Sequence, residues 1–215
     1  MKSRWTAAAL VAAMWTVTLS VYGRLPGRVP THWDAQGRVD DWMPRAQGAF
    51  LMPGIATASL ALMLVLPRLD PRRRNVQRFA PEWMLLLNMT ALFLAAVHTA
   101  MLLFALGYPV DMRRVTLAGV GLLLVGIGNY LPRVKSNYFI GIRTPWTLEN
   151  DNVWRDTHRV GGRVFVLAGL LFVVAALLPE WMGTPLTYLA IGAAVVVPMA
   201  YSYLSYRREM AGGSQ

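Results

Sequence analysis

EWMLLLNMTALFLAAVHTAMLLFAL, the stretch from residue 82 to residue 106, decides the fold of this chain. Its only charged residue is Glu82, at the first position, and its apolar residues follow one another without the spacing of a one-sided helix. A helix needs about 20 predominantly apolar residues to cross the hydrocarbon core of a bilayer. The stretch therefore predicts a membrane-spanning helix.

Five further runs of the same kind predict five further spans, at residues 5–22, 48–66, 115–131, 164–178 and 186–204. The chain of 215 residues is 55% hydrophobic and 15% charged, whereas soluble domains are about 25% charged. The polar segments between the runs are too short for a soluble domain. We therefore predict an all-α fold, a six-span transmembrane helical bundle forming one membrane domain over residues 1–215.

The positive charges alternate along the chain in a way that predicts its orientation. We interpret the first run as a retained helix, because Val21-Tyr-Gly-Arg24 offers no small-residue cleavage site for a secretory signal. The odd-numbered polar segments, counted from the N-terminus, then hold fifteen of the Lys and Arg residues, Lys2 among them, and the even-numbered segments hold six. Cytoplasmic loops carry such an excess. Both termini are predicted to be cytoplasmic, and the net charge of +10 is attributed to topology and membrane lipids, with no role in nucleic-acid binding.

The first loop, residues 23–47, is predicted to form an outward cap. Pro26 and Pro30 exclude a helix there, and Asp34-Ala-Gln-Gly37 has the composition of a type I turn followed by glycine. A short hairpin around that turn is expected. Aromatic and acidic side chains make the cap a candidate ligand-binding surface, with the residues His32, Trp33, Asp34, Asp40, Asp41 and Trp42. An alternative use is a divalent ion held by His32 with these carboxylates.

The fourth loop, residues 132–163, is rich in basic, acidic, amide and aromatic residues, and it is predicted to be cytoplasmic. Asn150 has the side chain and position to cap a helix in which Trp154 and His158, four residues apart, share a face. Gly161-Gly162 is predicted to loosen that helix before the fifth span. His158 with Glu149 or Asp156 could form an acid–base pair; a structural hydrogen bond of His158 is the alternative. The second loop, residues 67–81, is interpreted as an arginine anchor for topology, with binding of an acidic lipid or protein partner as the alternative.

The predicted spans contain few polar groups. Asn88 and His98 lie in the third span and either hydrogen-bond between helices or belong to a polar transport path. In the fourth span, Gly119 and Gly126 are two turns apart, as are Gly121 and Gly128, and this stripe of small residues predicts a close helix approach. The three histidines fall at three different depths and the chain has no cysteine, so we expect neither a metal site nor a cofactor.

Two segments together resemble the SdpI-type integral membrane proteins. The first reads Leu25-Pro-x-x-Val-Pro-Thr-His-Trp-Asp-x-x-Gly-x-x-Asp-x-Trp42 and is similar to the outward loop of that family. The second reads Gly128-Asn-Tyr-Leu-Pro-Arg-Val-Lys-x-Asn-Tyr-Phe-Ile-Gly-Ile-Arg-Thr-Pro-Trp-Thr-Leu-x-Asn150, followed by Val153-Trp-x-x-Thr-His-Arg159 and Gly162, and is similar to the cytoplasmic signature. With the spans between and around them, the resemblance covers the whole chain.

The resemblance implies an immunity protein of the bacterial inner membrane, one that protects the cell against a secreted, membrane-active antimicrobial peptide such as the sporulation-delaying-protein toxin. It also implies a relay of toxin presence to a cytoplasmic repressor, and no enzymatic activity. By resemblance, and together with the neighbouring Glu149, the signature is carried by Asn129, Pro132, Asn137, Gly141, Arg143, Thr144, Pro145, Trp146, Asn150, Trp154, Thr157, His158 and Arg159. None of these residues has a catalytic role in this interpretation.

Two other functions compete with immunity. A transporter or channel-like protein for a small solute or lipid would need a polar path joining His98 and Asn88 to both loops. A membrane enzyme acting on a lipid at the cytoplasmic face would need Glu149, His158 and Arg159 to converge on one pocket.

Overall fold

A computed structural model of the protein describes residues 3–212, and six helices in this range are long and apolar enough to cross a membrane. The helices are α1 (Ser3–Val21), α2 (Arg45–Leu69), α3 (Arg73–Gln77), α4 (Ala80–Ala105), α5 (Met112–Tyr130), α6 (Pro145–Glu149), α7 (Asp151–Leu177) and α8 (Glu180–Gly212). α3 and α6 are short and lie between spans. The predicted all-α, six-span fold is confirmed. Lys2, which contributes to the predicted orientation, lies outside the described residues.

The spans form two halves that meet along one helix pair. α4 packs against α1 and α2, while α7 packs against α5 and α8. The contact between α4 and α5 joins the two halves. Consecutive spans lie next to each other, and α1 and α4 also pack together although α2 separates them in the chain.

The predicted close approach in the fourth span is confirmed and has a matching partner. α5 and α7 run antiparallel, and Gly121 faces Gly169 while Gly128 faces Gly162. A Cβ atom added at any of the four would lie 2.5–2.7 Å from the carbonyl oxygen of the glycine opposite. Such small residues permit the backbone packing that holds membrane helices together.

The predicted loosening at Gly161-Gly162 is wrong, because α7 continues unbroken from Asp151 to Leu177. Both glycines are buried, Gly162 against α5 and Gly161 against the side chain of Ile142. Packing on both sides overrides the low helix propensity of glycine, which costs about 1 kcal/mol per residue.

The predicted hairpin of the first loop is confirmed. Antiparallel strands β1 (Arg28–Trp33) and β2 (Val39–Pro44) flank a turn in which Gly37 has a φ of 81°. One carboxylate oxygen of Asp34 accepts hydrogen bonds from the backbone nitrogens of Gln36 and Arg38, both at 2.9 Å. The hairpin rests on the ends of α2 and α4, where Val29 is fully buried.

A proline in α2 is compensated by a tryptophan in α4. Pro67 lies inside the helix and has no N–H to donate to the carbonyl oxygen of Met63. The indole Nε1 of Trp83 donates to that oxygen instead, at 2.9 Å. The indole N–H thus replaces the missing backbone donor, so the Met63 carbonyl oxygen keeps a hydrogen-bond partner.

Candidate functional site

The signature loop, residues 129–163, folds around the amide of Asn137, which is fully buried. Its Nδ2 donates to the carbonyl oxygens of Lys135 and Ile140, at 2.8 and 3.0 Å. Its Oδ1 accepts from the backbone nitrogens of Phe139 and Ile140, at 2.9 and 2.7 Å. An amide supplies donors and acceptors on one planar group, so Asn137 holds a tight turn that no carboxylate or hydroxyl could hold alone.

His158 fixes the loop to α7. Its Nε2 accepts a hydrogen bond from the backbone nitrogen of Ile142 at 3.1 Å, and its Nδ1 lies 2.8 Å from the carbonyl oxygen of Trp154. These partners assign the neutral ring with the proton on Nδ1. The ring stacks on Trp154, with centroids 4.1 Å apart, and the indole donates to the carbonyl oxygen of Val134 at 2.8 Å. Gly141 has a φ of 110° and packs against Nε2.

Two further caps order the segment between the loop and α7. Thr144 and Thr147 form a reciprocal capping box at the start of α6, with each side-chain oxygen accepting from the backbone nitrogen of the other. The side chain of Asn150 accepts from the backbone nitrogens of Asn152 and Val153 in the first turn of α7, at 2.8 and 3.2 Å. The predicted helix cap at Asn150 is thus confirmed, and so is the shared face of Trp154 and His158.

The second loop belongs to the same site, which the sequence did not indicate. Asp70, buried to 2% exposure, accepts from the backbone nitrogen of Tyr138 at 2.9 Å. Arg72 donates to the hydroxyl of Ser136 and lies over the Tyr138 ring, 4.9 Å from its centroid. Asn75 donates to the carbonyl oxygen of Ser136 at 2.9 Å. The arginine-rich loop is therefore a structural partner of the signature and more than a topology anchor.

The signature residues divide into a buried and an exposed set. Those that build the interior are Asn137, Thr144, Thr147, Trp154, Thr157 and His158. Those that reach the surface are Asn129, Pro132, Arg143, Pro145, Glu149 and Arg159. Trp146 is half-buried and packs on Tyr203 of α8, with ring centroids 5.1 Å apart.

An open polar groove of about 480 Å³ adjoins the signature and carries both signs of charge. Its lining comprises Arg72, Asn75 and the segment from Leu148 to Asn152. Groups of this kind suit contacts with a polar partner.

The three residues of the lipid-enzyme alternative do not converge. Glu149 is exposed at the end of α6, and Arg159 points outward and pairs with Asp156 at 3.8 Å. His158 is fully buried and both ring nitrogens are engaged. This arrangement argues against a shared acid–base pocket.

The candidate residues of the outer cap also separate into two sets. Trp33 points toward the bundle and meets Phe104 of α4 edge to face, with centroids 5.8 Å apart. Asp34 is occupied by the turn and by the Arg38 side chain at 3.0 Å. His32, Asp40, Asp41 and Trp42 are exposed, and His32 Nδ1 lies 2.6 Å from an Asp40 oxygen. Within residues 3–212 no group of three or more His, Cys, Asp or Glu side chains could hold a metal ion, so the alternative ion site is not formed.

The intramembrane polar residues lie apart. His98 Nε2 is 2.8 Å from the hydroxyl of Thr18 in α1, and that hydroxyl donates to the carbonyl oxygen of Met14. Asn88 donates to the carbonyl oxygen of Met84 within α4, at 2.7 Å. Ten residues of helix separate the two, about 15 Å along the axis. Their surroundings do not join them into the path that a transporter would need.

Comparison with known proteins places the two distinctive loops in known sequence families. Residues 133–202 match the SdpI/YfhL protein family, and residues 9–57 match a domain of unknown function, DUF1648. The chain is 24% identical to the immunity protein SdpI of Bacillus subtilis (strain 168), over 97% of this chain and 98% of that protein. No solved structure matches the chain.

Proposed function

We propose that the chain is an immunity protein of the bacterial inner membrane, protecting the cell against a membrane-active antimicrobial peptide, because residues 133–202 match the SdpI/YfhL protein family and almost the whole chain aligns with an immunity protein. The main support for this proposal is that the alignment with the immunity protein SdpI of Bacillus subtilis covers 97% of the chain, including the outer cap and the signature. The excess of Lys and Arg in the odd-numbered segments supports cytoplasmic termini, an outward hairpin and a cytoplasmic signature.

The exposed side of the hairpin is the proposed contact surface for the peptide. Trp42 is 42% exposed, and Asp40 and Asp41 add negative charge beside it. A cationic, amphipathic peptide would find an aromatic and two carboxylates there. Trp33 acts instead by holding the hairpin on the bundle, and Asp34 by fixing the turn of the hairpin.

A chain of direct contacts runs from the hairpin toward the signature. The turn glycine Gly37 packs on Arg113 at the start of α5. The guanidinium of Arg113 donates to the carbonyl oxygens of Ala175 and Leu178 at the outer end of α7, at 3.2 and 3.4 Å. The other end of α7 carries His158. Displacement of the hairpin would thus act on the helix that anchors the signature.

The groove beside Glu149 is the proposed docking surface for a cytoplasmic repressor. Its lining carries a cation, amides and carboxylates, which is the composition of a polar, reversible protein contact. The relay extends the immunity function and depends on it.

Peptide challenge of a deletion strain complemented with variants tests immunity. Trp42→Ala should lower the inhibitory concentration of the sporulation-delaying-protein toxin, because it removes the exposed anchor of the hairpin. Trp181→Ala is the matched control, since Trp181 is 75% exposed at the same end of the bundle but outside the hairpin. Equal protection by both variants would exclude the hairpin as the contact surface. No protection by the wild-type chain would reject immunity toward this peptide.

The relay needs a separate readout, the transcript level of the chain's own gene after sublethal exposure to the same peptide. Replacement of Glu149 and Asn152 by alanine should abolish the rise in transcript while survival stays at the wild-type level. Arg208→Ala, on the exposed end of α8, is the control. A rise that persists in the double variant would remove this groove from the relay.

A further inference from the structure

Two adjoining clefts of different character lie at the arginine-rich end of the bundle. The first has a volume of about 310 Å³ and the second about 510 Å³. Met63 and Trp83 contribute to the walls of both. The two clefts therefore adjoin across these two residues, and one of them is apolar while the other bears cations.

The smaller cleft lies between the two halves of the bundle and is apolar. α4 contributes Leu86 and Thr90, α5 contributes Ile127 and α7 contributes Phe165. The floor is the segment 139–142 of the signature loop. No charged side chain lines this cleft, and the Trp83 N–H is already bonded to Met63. Such a surface takes up hydrocarbon in preference to a polar solute.

The larger cleft presents two cations at its rim. Arg68 ends α2 and Arg73 begins α3, and both are exposed. Neither lining contains Asp or Glu, and within residues 3–212 no ion pair involves either arginine. The nearby Asp70 has its oxygens bonded to backbone N–H groups. The rim therefore presents two arginines that form no ion pair with any described residue, at the end of a span, where headgroups lie. The Arg68 guanidinium also donates to the carbonyl oxygen of Leu64.

We propose that the two clefts hold one anionic phospholipid of the surrounding bilayer, with its phosphate at Arg68 and Arg73 and one acyl chain in the apolar cleft. Charge complementarity selects the headgroup, because arginine binds phosphate with several donors. The apolar cleft selects a ligand that carries a hydrocarbon chain beside that phosphate. A bound chain would rest on the segment 139–142, whose Ile142 is bonded to His158, and so would order the signature loop.

Native mass spectrometry of the full chain tests this proposal. The protein is extracted in detergent and equilibrated with phosphatidylglycerol and phosphatidylcholine of identical acyl chains. The wild-type chain should retain one phosphatidylglycerol in preference to phosphatidylcholine. Arg68→Gln with Arg73→Gln should weaken retention by about fivefold for each arginine. Arg74→Gln is the matched control, since Arg74 is an exposed neighbour that lines neither cleft.

The apolar part needs its own variant. Ile127→Phe fills the smaller cleft and leaves both arginines in place, so it should reduce retention of both lipids. Glycerol phosphate, which has the headgroup charge without acyl chains, should fail to displace the lipid at equal concentration.

Several outcomes would overturn the proposal. Equal retention of the two lipids by the wild-type chain would show that the headgroup is not selected. This comparison uses only the wild-type protein, so it does not depend on the folding of any variant. If Arg74→Gln weakened lipid retention as much as the double variant does, retention would depend on the general positive charge of this surface and not on the two clefts. Unchanged retention in Ile127→Phe, or displacement by glycerol phosphate, would show an anion site without an acyl chain.

Discussion

The Nε2 atom of His158 accepts a hydrogen bond from the backbone nitrogen of Ile142, at 3.1 Å. This bond joins a turn of the signature loop to the first turns of a membrane-spanning helix. It explains why glycine precedes Ile142, because a Cβ atom on Gly141 would overlap Nε2. Asn137, Gly141 and His158 of the signature thus stabilise the same turn. We expect a substitution of any of them to disturb the fold of the loop before it affects a contact with a partner.

Gly141→Ala tests this geometry. A side chain at a φ of 110° costs about 1–3 kcal/mol, and displacement of His158 adds the cost of an unpaired Ile142 N–H, about 1–3 kcal/mol. Gly107→Ala is the matched control, because Gly107 has a φ of 89° but open space around it. Thermal unfolding in detergent should show a larger loss for Gly141→Ala. Equal losses would mean that the contact with His158 adds nothing to backbone strain.

The facing glycines of α5 and α7 give a second prediction. Gly128→Ala places a Cβ atom 2.6 Å from the Gly162 carbonyl oxygen, so the helices must separate, at a cost of about 1–3 kcal/mol. Gly54→Ala in α2 meets no atom within 4 Å and should leave stability unchanged or raise it by about 0.5–1 kcal/mol. Denaturation by sodium dodecyl sulfate measures both. A loss in Gly54→Ala as large as in Gly128→Ala would contradict the close approach.

Asp70 provides the third prediction, on the link between the second loop and the signature. Asp70→Ala leaves the backbone nitrogens of Arg72 and Tyr138 without their carboxylate partners, at about 1.5–3 kcal/mol for each lost hydrogen bond to a charged group. Limited trypsin digestion should then cut faster at Lys135, near the loop that Asp70 holds. Asp151→Ala, an exposed acid on the same surface, should leave the rate unchanged. An unaltered rate in Asp70→Ala would show that the two loops hold together without this carboxylate.

Local and periodic features were predictable from sequence, and contacts between distant segments were not. Hydrophobic length predicted the spans, turn composition predicted the hairpin, and Asn150 was recognised as a cap because a cap acts on adjacent residues. Asp70 bonds to Tyr138 across 68 positions, and no spacing rule reports such a pairing. The arginines near Asp70 made this pairing harder to predict, because the predicted cytoplasmic position of the second loop already explains why it is rich in arginine.

The orientation of Trp33, which the sequence left open, and the wrong prediction at Gly161-Gly162 have specific physical causes. The hairpin register shifts between His32 and Trp33, and such a bulge redirects side chains; Trp33 consequently points inward while Trp42 is exposed. The Gly161-Gly162 pair indicated a break, but the helix continues because Gly162 meets Gly128. In both cases packing against another element decided what the local sequence left open.

Asp34 gives a prediction on pH. The backbone N–H of Arg38, with further help from the Arg38 side chain, holds the pKa of the Asp34 carboxyl below its ordinary value of 3.8. A lowered pKa in the folded state means that the carboxylate stabilises the hairpin above the ordinary pKa, and that this stabilisation is lost as pH falls through the folded pKa. Hydrogen exchange of the Arg38 amide should therefore stay protected at pH 5 and lose protection only below about pH 4. Asp34→Asn should remove most of that pH dependence, whereas Asp41→Asn should retain it; a transition well above pH 4 in the wild-type chain would contradict the assignment.

The replacement of a backbone donor by the Trp83 indole at the Met63 carbonyl oxygen can be tested by a double-mutant cycle. Trp83→Phe keeps an aromatic ring but leaves the Met63 carbonyl oxygen without its donor, which should cost about 1–3 kcal/mol. Pro67→Ala restores a backbone N–H four residues after Met63, so in that background the same tryptophan substitution should cost about 1 kcal/mol less. Sodium dodecyl sulfate denaturation of the four proteins gives the coupling free energy. Additive losses would mean that the indole does not replace the missing backbone donor, and that Trp83 is retained there for its ring alone.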